Sequence, residues 1–458
     1  EMAAPGGPPP PVSRASKPAN YTPASLQSTQ WASSPSLGPA DASAPAGGQP
    51  RLVSSQEIPL QETKSQKMFR GLKFAGSKAF VGLSAAISTT AATATAVIDA
   101  EAKKGQLIAN GTRLFSKDNI LVLTAQLCAY LCDRIYLPYP GCFDPMALGF
   151  DCNVLLANFS EQRSLGYCTN FAVMVSHSQR RLYVVFRGST NIYDWLVNFE
   201  ALPTPFLGNV NLHKGVYTAL EPHYREKILP ALVNALKTWP GYRLMITGHS
   251  LGGGYATALN LMFGRDQKTI FAEDPAVAGT VVELYTFAAP TIVHTRNKEL
   301  AQQELAQMVN LDLAYNFVQH HDVVPRVLGG DYHANTIELL GRVANIKMSN
   351  MEEVKNYLPI GQYFFIKYKR VKVTASGSTE ELPPVDQAAL PAAEVPGTPA
   401  DVAAAAVPPV VTKVVEAELW DVTSKKELLL ELPMGLKGGR DCIGDHSMTL
   451  YLSNMCLV

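Results

Sequence analysis

Arg243-Leu244-Met245-Ile246-Thr247-Gly248-His249-Ser250-Leu251-Gly252-Gly253-Gly254 is the stretch on which the fold of this chain turns. The apolar run Arg243 to Thr247 predicts a buried strand, and the Ala-, Leu- and Met-rich segment Tyr255 to Phe263 predicts a helix. Between them stands Gly-x-Ser-x-Gly with Ser250 at its centre. A serine on a sharp strand-to-helix turn is held in a strained backbone conformation with its hydroxyl presented. The glycines flank it because side chains there would collide with the adjoining strand and helix. The helix start adds free backbone N–H groups and a positive dipole end where an oxyanion would form. By itself the motif also reads as a glycine-rich turn that happens to hold a serine. The strand before it and the helix behind it favour a nucleophile, and the rest of the chain must then supply an acid, a histidine and oxyanion donors.

Outward from this centre, 458 residues with 47% apolar content can bury a large core, in one large domain or two ordinary ones. The 39 basic residues balance 39 acidic ones, which argues against nucleic acid as the main partner. Cys128, Cys132, Cys142, Cys152, Cys168, Cys442 and Cys456 show no paired metal spacing, and their number is odd. Mostly buried thiols in a reducing compartment are expected, with an isolated disulfide among Cys132, Cys142 and Cys152 as the alternative.

Residues 1–63 are dominated by Pro, Ala, Ser and Gly, and between Met2 and Gln56 the only acidic residue is Asp41. Such a segment cannot bury enough surface to fold. It lacks the apolar core of a secretory signal. Its acid-poor, serine-rich composition is that of an organellar transit peptide, plastid type more than mitochondrial, and equally that of a plain linker. Glu1 in first place suits a fragment, or a chain whose initiator is Met2. Residues 64–110 open with the basic stretch Lys64 to Lys78, which carries Met68, Phe69, Leu72 and Phe74. That pattern suits a helix lying on an anionic membrane surface. The uncharged run Ala79 to Ile98 is long enough to span a bilayer, but its serines, threonines and alanines make insertion unfavourable. Peripheral attachment is therefore preferred to spanning, against the plainer reading of a solvated helix packed on the domain that follows.

Residues 111–458 have the composition of a folded domain. Asp118 to Leu131 reads as an apolar helix, and Phe171 to Val175 and Arg181 to Phe186 as a hairpin of strands. Lys214 to Trp239 has helical spacing broken by Pro222 and Pro230, with His223 on it in a structural role. Thr280 to Phe287 and Ala314 to Gln319 read as further strands, and Asp322 follows the second of them, at the end where an α/β sheet presents functional groups. A buried carboxylate there could orient a histidine, with Val323, Val324 and Pro325 to exclude water. Asp312 stands at the wrong end of that strand, and His320 and His321 are turn residues. Residues 376–412, rich in Ala and Pro with five acids and no Lys or Arg, read as a disordered insertion.

These blocks, in this order, resemble the class 3, fungal-lipase-like family of α/β-hydrolases. The resemblance rests on Phe186-Arg187-Gly188-Ser189 followed by Asp194-Trp195, on His213-Lys214-Gly215-Val216-Tyr217, and on Gly248-His249-Ser250-Leu251-Gly252-Gly253. It continues through Tyr285-Thr286-Phe287-Ala288-Ala289-Pro290, His321-Asp322-Val323-Val324-Pro325 and Asp445-His446, with Tyr451 following. It covers about Asp118 to the C-terminus, and departs where Ala288 replaces the family's usual glycine.

The resemblance implies an α/β-hydrolase fold with a mostly parallel central sheet flanked by helices. It assigns Ser250, Asp322 and His446 as nucleophile, acid and base, and the backbone N–H groups of Ser189 and Leu251 as the oxyanion hole. His333 competes for the base, but the order Ser250, Asp322, His446 is that of the superfamily. Ile192 to Phe199 is expected to be an apolar lid. The implied activity is a serine lipase cleaving acylglycerols or membrane glycerolipids at a lipid–water interface, galactolipids included if the plastid reading holds. It needs no metal or organic cofactor. A non-catalytic lipase-like scaffold or signalling protein, and a soluble carboxylesterase, are the alternatives.

Overall fold

A computed structural model describes residues 102–115, 119–144, 148–159, 169–189, 202–320, 322–328, 351–373, 379–381, 411–430 and 445–458. The expected transit segment, the basic stretch, the run 79–98, the lid segment 192–199, His321, His333 and nearly all of the 376–412 insertion lie outside these residues.

The strands, in chain order, are β1 (Thr112–Leu114), β2 (Asn153–Asn158), β3 (Phe171–Ser176), β4 (Arg181–Phe186), β5 (Pro203–Leu207), β6 (Val210–His213), β7 (Arg243–His249), β8 (Val282–Phe287), β9 (Val293–His294), β10 (Ala314–Gln319), β11 (Gln362–Val373), β12 (Thr379–Glu381) and β13 (Val411–Asp421). Ten of these form one sheet in the order β1-β13-β11-β10-β8-β7-β4-β3-β2, with β12 beside β11, and β5-β6-β9 form a small second sheet. The sheet is parallel only at its centre, across β4, β7, β8, β10 and β11. Both flanks are antiparallel, through β2 and β3 on one side and β13, β1 and β12 on the other. The expected mostly parallel sheet is thus a mixed one. Hairpins such as Ser176 to Arg180 return the chain within a few residues, whereas a parallel neighbour needs a helical crossover.

Alternation along the central strands decides which layer each side chain enters. Phe171, Val173 and Val175 of β3, Leu182 and Val184 of β4, and Leu244 and Ile246 of β7 join one apolar cluster. Ala172, Met174, Tyr183, Val185 and Met245 join another on the opposite face. Side chains alternate with a period of two, so a sheet covered on both faces reads as a continuous apolar run. The first layer is filled by helices α2 (Lys214–His223), α3 (Leu229–Thr238), α4 (Leu251–Thr269) and α5 (Lys298–Met308), and the second by α1 (Ile120–Arg134) and α6 (Met448–Leu457). Helix α4 is the most deeply placed, with residues Leu251 to Gly264 all buried.

Between α2 and α3 the chain makes a π-helical turn at Tyr224–Ile228, in which the Leu229 N–H donates to the carbonyl of Tyr224, five residues back. Pro222 and Pro230 lack the N–H that a regular helix would use, so the ladder slips by one residue between them. The folded part begins before residue 111. A helix over 102–109 buries Leu107 completely against Val318, Tyr363, Phe365, Val422 and Leu429. Strand β13 begins at Val411, inside the expected insertion. Cys128, Cys132, Cys142 and Cys152 are buried free thiols, and Cys456 is an exposed one. Burial pushes the Cys132 thiol up to about 12. Among the described residues no helix is long and apolar enough to cross a membrane.

Candidate active site

Strand β7 carries the chain to His249, and α4 starts at Leu251. Ser250 between them has φ 59° and ψ −132°. A non-glycine residue there is strained, by about 1–3 kcal/mol. Close packing on both sides holds it. A side chain on Gly248 would run into the Gly252 carbonyl, and one on Gly252 would come within 2.5 Å of the Phe186 carbonyl at the end of β4. The Ser250 N–H is satisfied by the Phe287 carbonyl at the end of β8 (2.9 Å).

Asp322 lies just past the carboxyl end of β10, and His446 lies just before α6. The fold brings both to Ser250. His446 Nε2 is 2.7 Å from Ser250 Oγ, and His446 Nδ1 is 2.9 Å and 3.1 Å from the two carboxylate oxygens of Asp322. The carboxylate can only accept, so Nδ1 carries the ring proton and Nε2 is left to take the serine's. Asp322 is fully buried, Ser250 is 2% exposed and His446 7%.

Asp322 also accepts from the Val324 N–H (2.9 Å) and from the Tyr451 hydroxyl (2.8 Å), while Tyr451 accepts the Gln319 N–H (2.8 Å). Burial, and then the nearby Asp322 charge, push the Tyr451 phenol well above its usual range, so it remains a donor. Arg326 is wholly buried, with its guanidinium donating to the carbonyls of Asp322, His320 and Leu429. Sequence reasoning passed over Gln319 and Arg326. An arginine inside the apolar run Val323 to Leu328 was the available signal, since such a cation is rarely buried without a set of acceptors.

Ser189 follows Gly188 at the exit of β4 and is half-buried. A side chain on Gly188 would meet the His249 carbonyl at 2.5 Å and Ser250 Cβ at 2.9 Å, so this strand exit abuts the turn that carries the serine. Leu251 is the first residue of α4, where a backbone N–H has no partner in its own helix. His223 is packed edge-on against Phe171, away from the serine. Among the described residues no group of three or more His, Cys, Asp or Glu is arranged to hold a metal ion.

A parallel strand core, a serine on a strained strand-to-helix turn after β7, and an acid and a histidine supplied later in the chain define an α/β-hydrolase fold. Residues 183–331 match the family model described as Lipase (class 3). Similar proteins include a lipase of Rhizomucor miehei, 28% identical over 131 residues, which are 28% of this chain and 34% of that protein. A chloroplastic phospholipase A1 of Arabidopsis thaliana is 29% identical over 164 residues, 35% of this chain and 21% of that protein. A secreted mono- and diacylglycerol lipase of Fusarium solani is 28% identical over 123 residues, 26% of this chain and 33% of that protein. The chain is thus similar to the class 3 lipases over part of its length, and its matches span between a fifth and a third of the length of these relatives.

Proposed function

We propose that this chain is a serine-dependent hydrolase of carboxylic esters, acting on acylglycerols or membrane glycerolipids through an acyl-enzyme on Ser250. The observation that carries this reading is the unbroken line from Asp322 through His446 to Ser250, with both imidazole nitrogens engaged at hydrogen-bond distance. Ser250 Oγ attacks the ester carbonyl as His446 Nε2 takes its proton. Asp322, with its other lone pairs satisfied by Tyr451 and Val324, stabilises the imidazolium. The negative charge formed on the carbonyl oxygen is met by the N–H groups of Ser189 and Leu251, and each such donor lowers the barrier by about 3 kcal/mol. Collapse of the tetrahedral intermediate expels the alcohol or lysolipid, which receives the proton from His446. Water then loses a proton to His446, attacks the acyl-enzyme and releases the fatty acid.

The relatives support a glycerolipid substrate, because their names are those of lipases and a phospholipase A1. The chloroplastic relatives, with the acid-poor N-terminal composition, support a plastid location, and the basic stretch Lys64 to Lys78 with Met68, Phe69, Leu72 and Phe74 supports peripheral contact with a membrane. The test is fatty-acid release from vesicles of triacylglycerol, diacylglycerol, phospholipid and galactolipid by wild type and Ser250→Ala. Wild type is expected to release fatty acid from at least one, and Ser250→Ala to lose about 10⁶-fold in kcat. A folded wild type that releases nothing from any vesicle would point instead to a non-catalytic scaffold.

A further inference from the structure

His249 precedes the serine and is 4% exposed, with both ring nitrogens hydrogen-bonded. Its Nε2 is 2.9 Å from the backbone carbonyl of His446. A carbonyl can only accept, so Nε2 carries the proton and Nδ1 presents a lone pair. That lone pair is 2.9 Å from the Tyr136 hydroxyl, which must therefore donate to it. A side chain on Gly188 would come within 2.5 Å of this hydroxyl oxygen, so the tyrosine lies against the exit of β4. The chain of donors has one direction: Tyr136 O–H to His249 Nδ1, then His249 Nε2–H to the carbonyl of His446.

The four residues that meet here come from distant places in the sequence. Tyr136 lies two residues past α1, Gly188 two past β4, His249 ends β7, and His446 lies two before α6. A buried histidine bonded at both nitrogens is usually no more than a satisfied core group. Here its acceptor is the main chain of the residue that must meet Ser250, and its donor lies against the glycine that precedes Ser189. On its other side the same loop is fastened through Asp445, whose backbone carbonyl accepts from the Gln319 side chain and whose carboxylate accepts from the Tyr368 hydroxyl. The loop is therefore clamped between β10 and β11 on the side of the acid and His249 on the side of the nucleophile.

We propose that Tyr136 and His249 are positioning residues for ester hydrolysis, a hydrogen-bonded strut that holds the loop of His446 and the exit of β4 in register with Ser250. The inference rests on the reading of Ser250 and His446 as nucleophile and base. Displacing reacting groups by about 1 Å costs on the order of 100-fold in rate, which is why a strut on the main chain of His446 matters. Neutrality matters as well. The rings of His249 and His446 are 4.7 Å apart between centroids, so a charge on His249 would oppose the imidazolium formed during turnover. Burial, and then the proximity of His446, hold the His249 ring well below the usual histidine range and so keep it neutral.

The test uses the full chain, a soluble short-chain p-nitrophenyl ester, and a fluorophosphonate that labels an activated serine. Variants are Tyr136→Phe, His249→Leu, His249→Gln and the double Tyr136→Phe/His249→Leu, with Ser250→Ala as control. His249→Leu is expected to lower kcat by roughly 10- to 100-fold and leave KM within about threefold, and to slow phosphonylation in proportion. Tyr136→Phe is expected to lose part of that, and the double variant no more than His249→Leu alone, because the two act as one chain. His249→Gln, whose amide N–H reaches about as far as Nε2, should recover much of the rate. Should His249→Leu fail to fold, Tyr136→Phe, which lacks a single oxygen, still decides. Turnover by Tyr136→Phe within about twofold of wild type, or losses that multiply in the double variant, would overturn the strut. A wild type that neither labels nor turns over the ester would instead sink the hydrolase reading, and the strut with it.

Discussion

Asp322 is buried and accepts from His446, Tyr451 and Val324, so removing any one donor leaves part of a buried carboxylate unsatisfied. Tyr451→Phe removes one donor and also strips the Gln319 N–H of its acceptor. The expected cost is about 1–3 kcal/mol in denaturant unfolding, with a fall in kcat. Ala288 stands where the family usually has glycine, and its φ of 53° gives the reason for the family's preference. A side chain in that region costs about 1–2 kcal/mol, whereas glycine brings its own entropic loss of about 0.5–1 kcal/mol. Ala288→Gly should therefore stabilise by about 1 kcal/mol or less, read as a small rise in Tm with unchanged hydrolysis. Burial also depresses His223 and His294, alongside His249. Histidines of the unfolded chain titrate at about 6.5, so below that pH the unfolded state binds more protons than the folded one. Stability from these rings is complete above pH ~6.5 and is lost as pH falls towards their folded values. For His249 the slope is up to about 1.4 kcal/mol per pH unit. Thermal melts from pH 8 to 5 should show a falling Tm, and His249→Gln should flatten that fall.

At the scale of the element, the turn between β7 and α4 depends on backbone meeting backbone. A side chain on Gly252 would lie 2.5 Å from the Phe186 carbonyl, 2.8 Å from the Arg187 carbonyl carbon and 2.9 Å from the Gly188 nitrogen. None of these is the flexible end of a side chain, so the strand exit and the helix start must separate. Gly252→Ala is expected to destabilise by about 1–3 kcal/mol and to slow fluorophosphonate labelling of Ser250, since the backbone at Ser189 and Leu251, the proposed oxyanion hole, moves apart. A variant that melts and labels like wild type would contradict this. The stretch from α2 to α3 shows what local pattern reveals and what it conceals. Its apolar spacing and two prolines are readable as an interrupted helix. The π-helical turn that absorbs the interruption depends on Tyr224 and Ile228 both being buried under the sheet, Tyr224 with its hydroxyl on Asp266 (2.8 Å).

At the scale of the whole molecule, β11 and β13 pair antiparallel with Val373 directly opposite Val411. The 37 residues between them (374–410) include β12 beside β11, and because Val373 and Val411 are neighbours a short hairpin turn can join them directly. Replacing 374–410 by such a turn should keep Tm within a few degrees and hydrolysis of the soluble ester within about twofold. Loss of the folded state would show that the segment is part of the core. The central strands and the helix α4 were readable because their residues are apolar in runs, the strands being covered on both faces and α4 buried along most of its length. The helix over 102–109 was not, because only Leu107 is fully buried, with Ile108 half-buried beside it, and so short an apolar pair carries no periodicity.

The strand-turn-helix around Ser250, the order in which Ser250, Asp322 and His446 follow one another, and the resemblance to class 3 lipases are all legible in the sequence. These are properties of short segments, where side-chain size and the φ of single residues decide. Beyond the β3–β4 hairpin the sequence does not show the antiparallel flanks of the sheet, since a buried strand reads alike whichever way its neighbour runs. Nor could it show the roles of His249, Tyr136, Gln319 and Arg326. Each acts through a partner far away in the chain, and hydrogen bonds between residues 113 or 197 positions apart leave no pattern in the sequence. Only packing β4, β7, β8 and β10 side by side brings those loops to one edge of the sheet, where a carbonyl, a phenol and two imidazoles can meet.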